Sequence, residues 1–131
     1  MDEPVWLDRL TVDAMHYDQL QQHGGLFGIK DENALEAALA RPRQKRTYEP
    51  DSDLCALAAA YGYGLANDHG YNDGNKRIAF AAMYTFLGMN GWEIVAPEPL
   101  IVRLMFDVAS GVCNEPQLSA WLRAHIEPFP G

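Results

Sequence analysis

LCALAAAYGYGLANDHGYNDGNKRIAFAAMYTFL, residues 54–87, is two apolar runs with a polar interruption between them. In the first run Leu54, Leu57, Ala58, Tyr61 and Leu65 share one helical stripe, and Ser52 or Asp53 is available as its cap. Asn67, Asp68 and Gly70 bring that helix to an end, so His69 falls on a loop. The second run predicts a helix over residues 74–89, stopped by Asn90-Gly91. It is apolar nearly all round, as befits a central, buried helix.

The interruption, HGYNDGNKR at residues 69–77, carries the chemistry. Loops set on rigid helices are where reactive side chains gather, and a neutral imidazole can take a proton from a hydroxyl near neutral pH. His69 is therefore the expected general base. Asp73 stands where the second helix begins, with Gly74, Asn75, Lys76 and Arg77 in its first turn. The first N–H groups of a helix lack internal partners and lie at the positive end of its dipole, so they attract phosphate oxygens. Gly74 lets a phosphate approach the backbone, Asn75 offers a side-chain amide, Lys76 a point charge and Arg77 a planar fork. Asp73 suits Mg²⁺, which takes one or two carboxylates and fills its shell with water and nucleotide phosphates. Phosphoryl or nucleotidyl transfer is the chemistry implied. On its own, His69 reads better as a structural Asp-His-Gly turn hydrogen-bonding its neighbours; Asp73, Asn75 and Arg77 tip the reading toward catalysis.

Working outward, residues 11–23 form an amphipathic helix with Thr11 as its cap, ending at Gly24-Gly25. Residues 31–40 form a second, with Leu35 and Leu39 at i, i+4, that stops before Pro42. Trp92 to Val95 reads as a short extended piece too isolated to establish a sheet. A helix from about Pro99 reaches Ser110-Gly111, and a last one carrying Leu118, Trp121, Leu122 and Ile126 ends at Pro128. No repeat, low-complexity tract or linker interrupts the pattern. The expectation is one all-α domain over residues 1–131, a bundle of about six helices.

A chain of 131 residues and 48% hydrophobic composition can bury a real core as one domain. A net charge of −8 and a pI near 4.8 argue against broad nucleic-acid or anionic-membrane binding, which needs a basic face. Cys55 and Cys113 form no metal or redox spacing and read as core thiols in a reducing compartment. The opening MDEPVWLDRL lacks signal-peptide character, and no apolar run is long enough to span a bilayer, so a cytoplasmic protein is expected. His16 and His23, seven residues apart, read as surface or cap residues rather than a metal pair, and His125 as a partner of the last helix's dipole.

The string at 69–77 resembles the signature of the Fic/Doc family: His, any residue, Phe, any residue, Asp or Glu, Gly or Ala, Asn, Gly or Lys, Arg. HGGLFGI at 23–29, ENALEAALARP, TYEPDSDL and AWLRAHI also look like segments of its death-on-curing (Doc) branch, so the resemblance covers roughly residues 5–127. Two departures separate this chain from the adenylylating members, which have Gly where Lys76 stands and a second Arg where Phe80 stands. The Doc branch shares the Lys and lacks that Arg, and its nucleotide is thought to bind the other way round, presenting the γ-phosphate. Tyr71 replaces the usual Phe, its ring able to pack alike and its hydroxyl needing a partner.

The resemblance implies a toxin-like kinase that uses Mg-ATP to phosphorylate a protein hydroxyl, with elongation factor Tu as the archetypal target and translation arrest as the result. An AMP or UMP transferase on the same scaffold and a catalytically idle binding module are the alternatives; the intact His69, Asp73, Asn75, Lys76 and Arg77 set counts against the latter. Some Fic proteins carry an inhibitory helix marked by Ser or Thr, three residues, then Glu and Gly or Asn. That pattern is absent here, so restraint is expected from a small antitoxin in trans. The family also places a substrate-positioning flap ahead of the helix leading into the motif. RPRQKRTYEPDSD, residues 41–53, holds four of the ten basic residues; it reads either as a solvated connector or, around Arg46, Thr47 and Tyr48, as a target-docking edge.

Overall fold

Short polar side chains set most of the helix starts in the computed structural model, which describes residues 2–130. Asp8 accepts from the Thr11 amide at 2.7 Å, so α1 spans Arg9–His23 and begins ahead of the Thr11 cap expected from sequence. Asp31 caps α2, Glu32–Tyr48, and Asp53 caps α3, Leu54–Asn67. The motif helix α4 spans Asn75–Met89, α5 spans Glu98–Ser110, and α6, Glu115–Ala124, opens with a capping box between Asn114 and Gln117. The all-α expectation of six helices holds.

Two boundaries differ from the sequence reading. α2 does not stop before Pro42 but continues to Tyr48. A proline inside a helix forfeits one hydrogen bond and crowds the carbonyl four residues back, a cost of about 3 kcal/mol. Here that residue is the small Ala38, the Pro42 ring is fully buried, and Lys45 and Arg46 tie the following turn to Glu49 and Glu3. Burial and ion pairs offset the lost bond, so residues 41–48 are helix rather than connector. The second difference lies after α4. Trp92–Ile94 forms β1 and pairs antiparallel with β2, Ile126–Pro128, in the register Trp92↔Pro128, Glu93↔Glu127, Ile94↔Ile126. The last helix accordingly ends at Ala124, with His125 as its C-cap, instead of running to Pro128. Three-residue strands are too short to show a period of two, and the partner of β1 lies beyond two helices.

α3 and α4 form the centre. Eleven positions of α3 are buried, mostly Ala and Gly, so neighbouring backbones can approach it from several sides. At Gly62 a Cβ would overlap the Met83 thioether of α4. α4 buries Ile78, Ala79, Ala82, Met83, Phe86 and Leu87 against α3 and presents its remaining face to α1 and α5. The buried cluster draws on all six helices. Every element thus serves to hold the turn between α3 and α4, where the motif lies. No helix among the described residues is long and apolar enough to cross a membrane.

Candidate active site

Leaving α3, the chain turns at Asp68 and reaches His69 with φ of +52°, the one non-glycine residue in the left-handed region among those described. Histidine tolerates that region better than most side chains, and such backbone outliers concentrate at functional sites. The His69 side chain is exposed. Two residues on, Tyr71 turns inward and is buried; its hydroxyl donates to Asp13 Oδ1 at 2.6 Å, while Arg9 shares its Nε–H between the two Asp13 oxygens and reaches Glu32. Burial and the neighbouring Asp13 carboxylate push the Tyr71 hydroxyl well above its ordinary range, so it stays a neutral donor. The hydroxyl that distinguishes Tyr71 from the usual Phe has found its partner.

Asn75 ties the motif loop to the helix that follows it. Its side-chain oxygen accepts from the Tyr71 amide at 3.2 Å, and its side-chain nitrogen donates to the Tyr71 carbonyl at 3.0 Å. The side chain therefore staples the loop to the first turn of α4, and its amide nitrogen carries a second N–H besides the one given to Tyr71. Gly74 adopts φ of +74° as the N-cap, a conformation that strains any residue with a Cβ.

Asp73 is exposed and held from two directions. Its Oδ1 accepts from the Gly74 amide at 2.8 Å and its Oδ2 from the Leu26 amide at 3.3 Å. Those amides, Gly74 first, keep the carboxyl below its usual range, so it is ionised at neutral pH. Each oxygen retains a further lone pair. The Leu26 amide belongs to the connection between α1 and α2, which zips along the motif loop: Lys30 and Asp31 donate to the Gly70 carbonyl, and Asn72 donates to those of Gly28 and Phe27. Gly25 sits so close that a Cβ there would lie 2.9 Å from Asp73 Oδ2.

The start of α4 is open. Unlike α1, α2, α3 and α6, it has no side-chain cap, and its first-turn residues Lys76 and Arg77 are exposed. Both border a groove of about 850 Å³ between α1, α4 and α5, floored by Met15, Phe80, Ala81, Ile101 and Met105. Phe80 therefore lies in apolar surroundings, one turn along the helix from Arg77. One ionised carboxylate, an uncapped helix start and two cations match what Mg²⁺ bound to a nucleotide requires. Mg²⁺ needs few protein ligands, and no group of three or more His, Cys, Asp or Glu forms a metal cage among the described residues.

The fold brings His69, Asp73, Gly74, Asn75, Lys76 and Arg77 to one corner. It does not bring Arg46, Thr47 and Tyr48 there. Those residues end α2 beside the start of α3, and α3 is fourteen residues long, roughly 21 Å at 1.5 Å per residue, with the motif at its other end. Thr47 donates to the Arg43 carbonyl within its own helix, and Arg46 pairs with Glu3. The exposed edge that does run beside the motif is residues 26–29, with Leu26, Phe27 and Ile29 facing solvent.

His16, read from sequence as a surface or cap residue, is buried, with its ring stacked 3.7 Å from that of Tyr71 and its Nε2 2.7 Å from the Asp73 carbonyl. The legible signal was its place on the stripe Val12, His16, Leu20, where a polar side chain interrupts two buried apolar ones four residues away.

Residues 6–87 match the Fic/DOC family, and this chain belongs to it. It is similar to protein kinase Doc of Escherichia phage P1, with 31% identity over 110 residues, 84% of this chain and 86% of the phage protein. It is also similar to toxin Doc of Mycolicibacterium smegmatis, with 39% identity over 103 residues, 76% of this chain and 78% of that protein. The likeness places it in the death-on-curing branch of the family.

Proposed function

We propose that this chain is a toxin kinase that transfers the γ-phosphoryl group of ATP to a hydroxyl side chain of a host protein, a translation elongation factor of the Tu type. The observation that carries the reading is the corner itself: His69 on a left-handed loop position, the ionised Asp73, and the uncapped start of α4 with Lys76 and Arg77 unshielded. The name of the phage relative, a protein kinase, supports the same direction.

In this scheme His69 accepts the proton of the target hydroxyl as its oxygen bonds to the γ-phosphorus. The bond from that phosphorus to the β–γ bridging oxygen breaks, and ADP leaves with the electron pair. Asp73 would hold Mg²⁺, which neutralises charge on the phosphates when bound. Arg77 grips paired phosphate oxygens, Lys76 adds a point charge, and the first amides of α4 complete the cradle. Phe80 supports γ- over α-phosphate transfer, because it gives the groove an apolar wall where AMP-transferring members offer a second guanidinium. Target docking fits the edge at residues 26–29, whose backbone is already tied to the motif loop, better than the distant Arg46–Tyr48 turn. Restraint in trans fits the groove of about 850 Å³, whose apolar floor suits an amphipathic segment of a small antitoxin that folds on binding. The reading places the enzyme in the cytoplasm, where the target is.

The test is incubation of purified protein and elongation factor with Mg²⁺ and ATP labelled at either the γ- or the α-phosphate, followed by intact-mass measurement. Label from the γ-position and a mass gain of one phosphoryl group are expected, and both vanish with His69→Ala. Transfer of α-label would make this an AMP transferase with the same residues in their roles. No modification of any candidate, with ATP binding absent, would leave a binding module.

A further inference from the structure

Apart from tyrosine hydroxyls, His16 and Ser119 carry the only polar side chains buried to this degree among the described residues, and nothing in the phosphoryl-transfer scheme uses His16. A carbonyl oxygen can only accept, so the contact between Nε2 and the Asp73 oxygen fixes the proton on Nε2. The ring lies almost parallel to Tyr71, at an interplanar angle of 12°, and Tyr71 is itself held by Asp13. Gly74 packs against the same imidazole: a Cβ there would meet Nε2 at 3.5 Å. The peptide joining Asp73 to Gly74 is therefore gripped through its oxygen by α1, while its nitrogen donates back to the Asp73 carboxylate. Rotating that peptide would take the Gly74 N–H away from the carboxylate and would undo the left-handed cap at the start of α4.

We infer that His16 is a positioning residue: through its Nε2–H bond to the Asp73 carbonyl, it fixes the carboxylate and the first turn of α4 in the orientation that receives a metal-bound nucleotide. This rests on the proposed function for the identity of the ligand, but not for the orientation. Groups that orient a metal ligand from outside its coordination shell are typically worth about 10- to 100-fold in metal affinity or activity.

Two variants separate the bond from the packing. His16→Phe keeps a ring against Tyr71 and loses the donor; His16→Gln keeps an amide N–H at similar reach and loses the ring. The first readout needs no ligand. In heteronuclear NMR spectra the wild-type His16 ring is expected as the Nε2–H tautomer, with the Gly74 and Leu26 amides shifted and slowed in exchange by Asp73. Those two amides should move and exchange faster in His16→Phe and return toward wild type in His16→Gln. The second readout is ATP affinity by calorimetry with and without Mg²⁺. His16→Phe is expected to lose about tenfold of the Mg²⁺-dependent enhancement while metal-free affinity stays put, and His16→Gln to recover most of it. Gly74 and Leu26 amides unmoved in His16→Phe would overturn the inference. So would thermal destabilisation of both variants alike with the enhancement unchanged, since that marks a purely structural histidine. Moved amides in a protein whose wild-type ATP binding ignores Mg²⁺ would uphold the hold on Asp73 and refute the metal role in the proposed function.

Discussion

The two ends of α3 are both flanked by basic residues, and they treat them in opposite ways. At the N-terminal end Lys45 meets Glu115, Arg46 pairs with Glu3, and Arg123 forks onto Asp53. A cleft there, lined by Lys45, Asp53, Glu115 and Arg123, is a place where charges already answer one another. At the C-terminal end Lys76 and Arg77 face solvent without an ion pair among the described residues, beside a helix start that no side chain caps. Density of positive charge in the sequence is the same kind of signal at both ends. What separates a docking charge from a structural one is whether the fold supplies its counter-ion.

The comparison breaks most visibly at the motif end. His69→Ala is expected to lower transfer by about 10² to 10⁴ with the melting temperature unchanged, because the side chain is exposed and removing it leaves no cavity. Wild-type rate in a folded His69→Ala protein would take this residue out of the chemistry. Next in size, Arg77→Ala is expected to weaken ATP binding by about 10- to 100-fold, the worth of roughly 1.5–3 kcal/mol for a hydrogen bond to a charged group. Arg77→Lys should restore little, since the fork is lost. Calorimetry decides it: unchanged affinity would put the phosphates elsewhere.

The smallest effect belongs to the opposite end. Asp53→Asn keeps a capping side chain and removes the charge opposite Arg123. Transfer should be unaffected and stability should fall by about 0.2–1 kcal/mol at neutral pH, the range for a half-exposed pair. The Arg123 guanidinium, with the Ala56 amide, holds the Asp53 carboxyl below its ordinary 3.8. As pH falls the unfolded chain therefore takes up its proton first, so the contribution is full above that value and fades below it. Urea unfolding should show wild type and Asp53→Asn converging as the pH drops through the folded value. A gap independent of pH would mean that the pair contributes through packing alone.

The helical architecture was legible because apolar stripes, polar caps and glycine stops agree along most of the chain. α3 came out between Asp53 and Asn67 because cap, stripe and stop all point the same way. Pro42 misled, since the sequence shows the cost of a helical proline but not the buried site and ion pairs that offset it. β1 and β2 could not be paired in advance, because register across two intervening helices is a tertiary fact. Within the motif, residue types announced the base, the carboxylate and the cations. The partners they find inside the protein were hidden: Asn75 bonds the Tyr71 backbone, and Asp73 is held by His16 and Leu26, residues far away in the chain.

The pairing of β1 with β2 also dictates an order of manufacture. α3, the motif and α4 are all translated before α5, α6 and the Ile126–Pro128 strand, yet α6 packs on α3 and β2 is the partner that β1 awaits. A ribosome that has delivered every reactive residue has therefore not yet delivered the parts that close the core around them. The nascent chain carries its whole chemical inventory for a time without the frame that aims it.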